Sequence, residues 1–251
     1  MTEPAYLEDM LRAVAEDVRA TLAGELGPQP LGELVDEVFA LADTLTRALD
    51  EKAPEASRRL PVCKPGCDSC CHLHAVFVSP AEALRLAEHL RATRTPDELS
   101  TLITRLREVA AVVAEMTVQD RATARVPCPL LDEHGACGVH PARPLLCRAY
   151  NSCDLGACLS AFEARTSKVT LPCNANQAVV GKTLFAGLLL GGAAGRDHGP
   201  FELVHAVLAA LTTDDATRRW LEGDAVFSAA AARISRDAAP VWAAFVAERG
   251  G

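Results

Sequence analysis

Ten residues, Cys63-Lys-Pro-Gly-Cys67-Asp-Ser-Cys70-Cys71-His72, put four cysteines within nine positions, and no other stretch limits the fold so strongly. Pro65 and Gly66 argue against regular helix here, so the segment reads as a loop in which glycine lets backbone and thiols converge. A second set follows at Cys128, Cys137, Cys147, Cys153 and Cys158, with Cys173 as an outlier. Residues 126–153 are also rich in proline and glycine and read as a second irregular loop. The two loops hold nearly all the cysteines and are expected to meet in space. A metal would then staple loops that have little regular structure of their own.

The compartment decides how ten cysteines are used. Met1-Thr-Glu-Pro-Ala-Tyr-Leu-Glu-Asp has no basic region followed by an apolar one, so no secretory signal is expected. A cytoplasmic protein is the expectation. There thiols stay reduced, and metal ligation is favoured over five disulfides. The longest apolar run, Ala178 to Ala194, is short for a membrane span, contains Lys182 and several glycines, and reads as a buried helix. A net charge of −8 argues against nucleic acid and against a polybasic membrane anchor.

The rest reads as helix. Aromatic residues make up only 4 % of the chain, while alanine and leucine abound. Leu7, Met10, Leu11, Val14, Val18 and Leu22 keep helical spacing over 5–24, and a second helix runs from about Leu31 to Asp50. Together they suggest an N-terminal helical hairpin over 1–53. Ala75–Val78 suits one extended segment. Ser79-Pro-Ala-Glu82 and Thr95-Pro-Asp-Glu98 are capping boxes with proline at the first helical position. The second opens a helix expected to reach about Arg121. Further helices are expected over about 155–167, 174–193, 201–211 and 214–221. The expectation is a mainly α protein, a single helical domain with two irregular Cys-rich metal-binding loops. The metal-binding part spans 60–225, and an Ala-rich tail over 226–251 covers the core with Val241, Trp242, Phe245 and Val246.

Thiolates are soft donors that select zinc, copper(I) and iron–sulfur clusters over magnesium or calcium. Structural zinc usually takes two short Cys pairs, whereas an iron–sulfur cluster often takes three close cysteines and a remote one. Cys63-x3-Cys67-x2-Cys70 resembles the second pattern. It also matches the order of the radical S-adenosylmethionine signature. Ser69 stands where those enzymes usually carry an aromatic residue, and the alternating strands and helices of their barrel are absent. Cys70 and Cys71 are adjacent, and in extended backbone their side chains would diverge, toward two metals or toward a metal and the core.

The motif, with Cys128-Pro-Leu-Leu131, Gly135-Ala-Cys137 and His140-Pro-Ala-Arg143-Pro-Leu-Leu-Cys147-Arg148, resembles the YkgJ-type cysteine-cluster proteins, described as zinc- or iron-chelating domains with a CxxCxxCC signature. The flagellin lysine methylase is similar in cysteine pattern. The resemblance implies a metal ion or cluster held by Cys63, Cys67, Cys70, Cys71, Cys128, Cys137, Cys147 and Cys158, with Cys153 competing for the eighth place. It leaves open a [4Fe–4S] cluster, zinc or iron. The protein itself could be a metal-binding protein, a metal-dependent enzyme acting on a protein substrate by redox or methyl transfer, or a metal carrier with a protein partner.

Around the thiols, His72 is the better imidazole ligand, and a hydrogen-bonding role beside the centre is the plainer reading for it and for His74. Arg143 and Arg148 flank Cys147 and would offset thiolate charge, or bind an anionic substrate. His140 reads as a loop residue, His205 as a satisfied core histidine and Cys173 as a small buried hydrophobe. Val180-Gly-Lys-Thr183 lacks the earlier glycine of a phosphate-binding loop, because Asn176 stands there.

Overall fold

The computed structural model describes residues 5–23, 28–55, 58–166, 171–192 and 196–228. Helix dominates these residues, with one two-stranded ribbon. Its centre is the helix with no polar face. Helix α9 (Ala175–Gly192) is buried from Val180 onward except at Lys182. Helices α1 (Ala5–Ala23) and α2 (Pro28–Lys52), the expected hairpin, both lay their apolar stripes on it. Small residues set the distance of approach. A Cβ at Gly187 would stand 2.8 Å from the Val14 Cβ, and one at Gly191 would run into Val18. The glycines that broke the apolar run therefore serve close helix packing rather than a bend.

Helices α4 (Pro80–Thr93) and α5 (Pro96–Val113) start where the two capping boxes predict, each box closed in both directions. The expected single helix to Arg121 is instead two. Chain 114–117 leaves the helix, and Thr117 caps a new one, α6 (Val118–Ala124), through a box closed by Asp120. Aspartate in the place of the usual Glu or Gln hid that signal. The extended segment is β1 (Phe77–Val78), paired antiparallel with β2 (Phe201–Glu202) in the register Phe77↔Glu202. Strand β2 takes the first residues of the helix expected from 201, so α10 runs Leu203–Thr212 and packs on α4 and α5. Helix α11 (Ala216–Leu221) follows and seats the wholly buried Trp220. The expected contacts of Val241, Trp242, Phe245 and Val246 lie outside the described residues.

The Cys-rich loops are shorter than their composition suggests, because each contains helix. Ser69–Leu73 forms α3, and Leu145–Ala149 forms α7, after a 3-10 turn at His140–Ala142. Helix α8 (Leu155–Glu163) packs on α3. Helix α7 rests on α9 at Gly181, where a Cβ would be 2.9 Å from the Ala149 Cβ and 3.1 Å from the Leu145 carbonyl.

Glu82 links this scaffold to the loops. Its Oε2 accepts from the Ser79 amide and hydroxyl, both at 2.9 Å, and its Oε1 accepts from the Leu145 amide at 2.8 Å. One buried carboxylate thus caps α4 and anchors the first residue of α7, two positions before Cys147. Glu82→Ala would strand the Ser79 and Leu145 amides in the core, so urea denaturation is expected to show a loss of about 3 kcal/mol. Glu98 makes the same box on the surface of α5, and its alanine variant should lose far less, because water replaces the lost acceptor.

Candidate metal centre

Main-chain contacts bring the two loops together. The Cys128 amide donates to the Cys71 carbonyl at 3.0 Å. Gly135 has φ +73°, and a Cβ there would lie 3.1 Å from Asp68 Oδ2, so the second loop passes the first where only glycine fits comfortably. Leu73 anchors α3 against Ala122 of α6 and Ala161 of α8. Cys137 bridges back to Leu131, and Cys147 rides on α7.

Five thiols gather in this way, from Cys70, Cys71, Cys128, Cys137 and Cys147. Cys71, Cys128, Cys137 and Cys147 each feel the charge of others in the set, and Cys70 is tied to it by a hydrogen bond with Cys71. Residues 69–73 are helical, not extended, so the Cys70 and Cys71 side chains stand about 100° apart around the axis and not on opposite faces. Their thiols hydrogen-bond each other, which lowers Cys70 and raises Cys71. Burial pushes Cys147 far up, and it pushes Cys128, whose thiol packs against the core, up to about 11. Cys137 also rises through burial. Arg143 works in the opposite direction on Cys70, Cys137 and Cys147, favouring their thiolates. Its Nε is buried and has no hydrogen-bond partner among the described residues.

A second set lies outward. Cys67 senses Cys63, Cys70 and Cys158, so Cys70 belongs to both sets. Cys63 is exposed, with its sulfur 4.0 Å from the Ser152 carbonyl oxygen. Cys153 instead neighbours Cys173 and Cys63. Cys173 is half-exposed and not the buried hydrophobe its surroundings in sequence suggest.

The flanking residues divide. His72 turns to protein oxygens, with Nε2 3.1 Å from Asp68 Oδ2 and Nδ1 3.4 Å from the Arg125 carbonyl oxygen, and its ring meets Phe162 edge-on. His74 stacks on Tyr150 at 4.5 Å between centroids, and burial lowers its pKa. Arg148 points away from the thiols. It pairs with Asp43 at 3.2 Å, donates to the Pro141 and Arg143 carbonyls and lies over Phe39. His140 is exposed.

Sequence reasoning missed a buried charged group next to Cys128. Arg121 donates to Glu202 Oε1 at 3.2 Å, and Glu202 Oε2 accepts from the Val204 and His205 amides while lying 2.8 Å from His205 Nδ1. Both Arg121 and Glu202 influence Cys128. His205 is thus the satisfied histidine expected of it. Glutamate is an uncommon N-cap, and nothing in sequence links Arg121 to a residue 81 positions on.

The donor set fits a soft metal. Several thiols face a guanidinium with a buried, unpaired nitrogen, which suits a centre whose thiolates carry excess negative charge. The thiols are gathered without being closed on one point. Among the described residues no three Cys, His, Asp or Glu side chains are placed to hold an ion as they stand. A shallow cleft of about 410 Å³ lies between α2, α7 and α9, and no cysteine lines it. No described helix is long and apolar enough to cross a membrane.

Residues 62–174 match the family model described as "CxxCxxCC: putative zinc- or iron-chelating domain". No curated protein and no solved structure matches the chain.

Proposed function

Residues 62–174 match the CxxCxxCC cysteine-cluster family, and from that premise we propose that the chain holds an iron–sulfur centre through its clustered thiolates, with zinc as the competing occupant. The observation that carries the reading is the number of thiols that share one neighbourhood. Cys70, Cys71, Cys128, Cys137 and Cys147 form a linked set of five, three of them under the influence of Arg143, where a structural zinc needs four. Cys63-x3-Cys67-x2-Cys70 adds the closely spaced triplet that iron–sulfur sites use. Cys70, shared by both sets, would link the two.

In this reading Arg143 balances the charge of the thiolate set and donates from Nε toward sulfur. His72, fixed between Asp68 and Arg125, and Arg148, fixed on Asp43, shape the surrounding shell rather than ligate. When bound, the centre would supply structural closure of the two loops, with electron transfer or Lewis acidity as the chemistry open to it. Elemental analysis and the visible spectrum of anaerobically purified protein test the proposal. Iron with acid-labile sulfide and a broad band at the blue end is expected. Colourless protein with stoichiometric zinc would overturn the iron–sulfur assignment and keep the ligand set.

A pH dependence follows for the metal-free protein. The Cys128 thiol is raised to about 11 by burial, so its folded value exceeds the unfolded one. Its contribution to stability is then full below about pH 8.5 and is lost as pH climbs through 11, a change of about 2–3 kcal/mol. Cys137 and Cys147 act in the same direction. Urea midpoints of metal-free protein should fall over that window, and Cys128→Ala should flatten the fall. Metal-loaded protein should show little of it, since its thiols are already deprotonated.

A further inference from the structure

Two of the ten cysteines, Cys153 and Cys173, are left over when Cys158 takes the eighth place of the cysteine-cluster pattern. Both are half-buried and free, and they meet across a crossing of two chain segments. The Cys153 amide donates to the Pro172 carbonyl at 2.7 Å. The Asn174 amide donates to Asn151 Oδ1 at 2.8 Å, and Asn151 Nδ2 returns a bond to the Asn174 carbonyl at 3.4 Å. Residues 151–153 therefore lie alongside 172–174. The main chain of Cys153 is bonded directly to that of Pro172, the residue before Cys173, which brings the two cysteines into one crossing, and a disulfide needs Cα atoms within about 4.4–6.8 Å. Burial raises the Cys153 thiol first; among the thiols near it Cys173 acts most strongly and Cys63 less, and the Arg59 guanidinium works in the opposite direction, favouring the thiolate.

We propose that Cys153 and Cys173 form an oxidisable dithiol site, separate from the metal centre, whose substrate is a low-molecular-weight disulfide such as oxidised glutathione. The Cys153 thiolate attacks one glutathione sulfur, forming a mixed disulfide and releasing one glutathione thiolate. Cys173 then attacks the Cys153 sulfur, forming the protein disulfide and releasing the second. The two protein thiols give up two electrons, and their two protons go to the two glutathione molecules produced. The ring so closed contains α8 and with it Cys158, so oxidation ties the helix bearing an outer thiol to the start of α9.

The test uses the protein as purified, with its metal, exposed to oxidised glutathione. The expected result is loss of two thiols and the mass of two hydrogens per chain, a digest fragment joining Cys153 to Cys173, and unchanged metal content. Cys173→Ser should stop at one glutathionyl group on Cys153 and keep its metal. A link from either cysteine to Cys63, or no link at any glutathione ratio, would overturn the assignment. So would metal loss in Cys153→Ser, which would make Cys153 a ligand. The link is read by mass, so it stands or falls independently of which metal the protein binds.

Discussion

Cys70→Ser is expected to lower metal affinity by about 100-fold or more and to leave the purified protein nearly metal-free. Removing residues that only support ligands typically costs about 10–100-fold, and a thiol shared by two sets should cost at least the upper end. Cys70 also accepts the hydrogen bond of Cys71, so its loss disturbs both neighbours. Metal binding contributes directly to folding in small sites, on the order of 10 kcal/mol in zinc-finger peptides. Here α1, α4, α9 and α10 share an apolar core of their own, with Cys128 and Cys137 packed only against its margin. The variant should therefore retain most of its helical circular dichroism, while amides of 63–73 and 128–147 exchange faster and thermal unfolding moves down. Cys173→Ser is the matched control and should keep its metal. Wild-type metal content in Cys70→Ser would remove it from the ligand set and break the link between the two groups.

The second large effect concerns Glu202. Its carboxylate receives Arg121, two α10 amides and His205, and the Arg121–Glu202 pair is almost completely buried. Glu202→Ala leaves a guanidinium in the core with no counter-charge and uncaps α10. A loss of about 3–5 kcal/mol is expected in urea or thermal unfolding. Removing both charges together, as Arg121→Met with Glu202→Leu, should recover much of it, because two apolar side chains avoid the desolvation cost that one orphaned charge incurs. A Glu202→Ala loss below about 1 kcal/mol would show that water or a shifted side chain reaches Arg121.

Much of the scaffold was legible because it follows from local rules. Ser79 and Thr95 start helices since a hydroxyl three residues before a glutamate satisfies end amides whatever the rest of the chain does. Apolar spacing located α1 and α2 for the same reason. The failures came where a local signal was weak or a distant partner decided. Thr117 pairs with Asp120 in place of a glutamate, so the end of α5 passed unseen. Phe201 and Glu202 read as helix until β1 claims them.

By itself, the sequence determined the chemistry of this protein. It supplied ten thiols, eight of them in the cysteine-cluster pattern, Arg143 beside them and an apolar helix to build on. Tertiary structure alone decided which thiols share a neighbourhood and which flanking residues face them. Cys70 and Cys71 leave opposite faces because α3 is helical, Cys128 joins them through the hydrogen bond of its amide to the Cys71 carbonyl, and Cys147 arrives on α7 held by Glu82 and seated at Gly181. Arg143 turns inward while Arg148 is drawn out by Asp43. Spacing along a chain constrains only neighbours, whereas thiols many residues apart meet only when packing and buried hydrogen bonds, each specified elsewhere in the chain, bring their segments together.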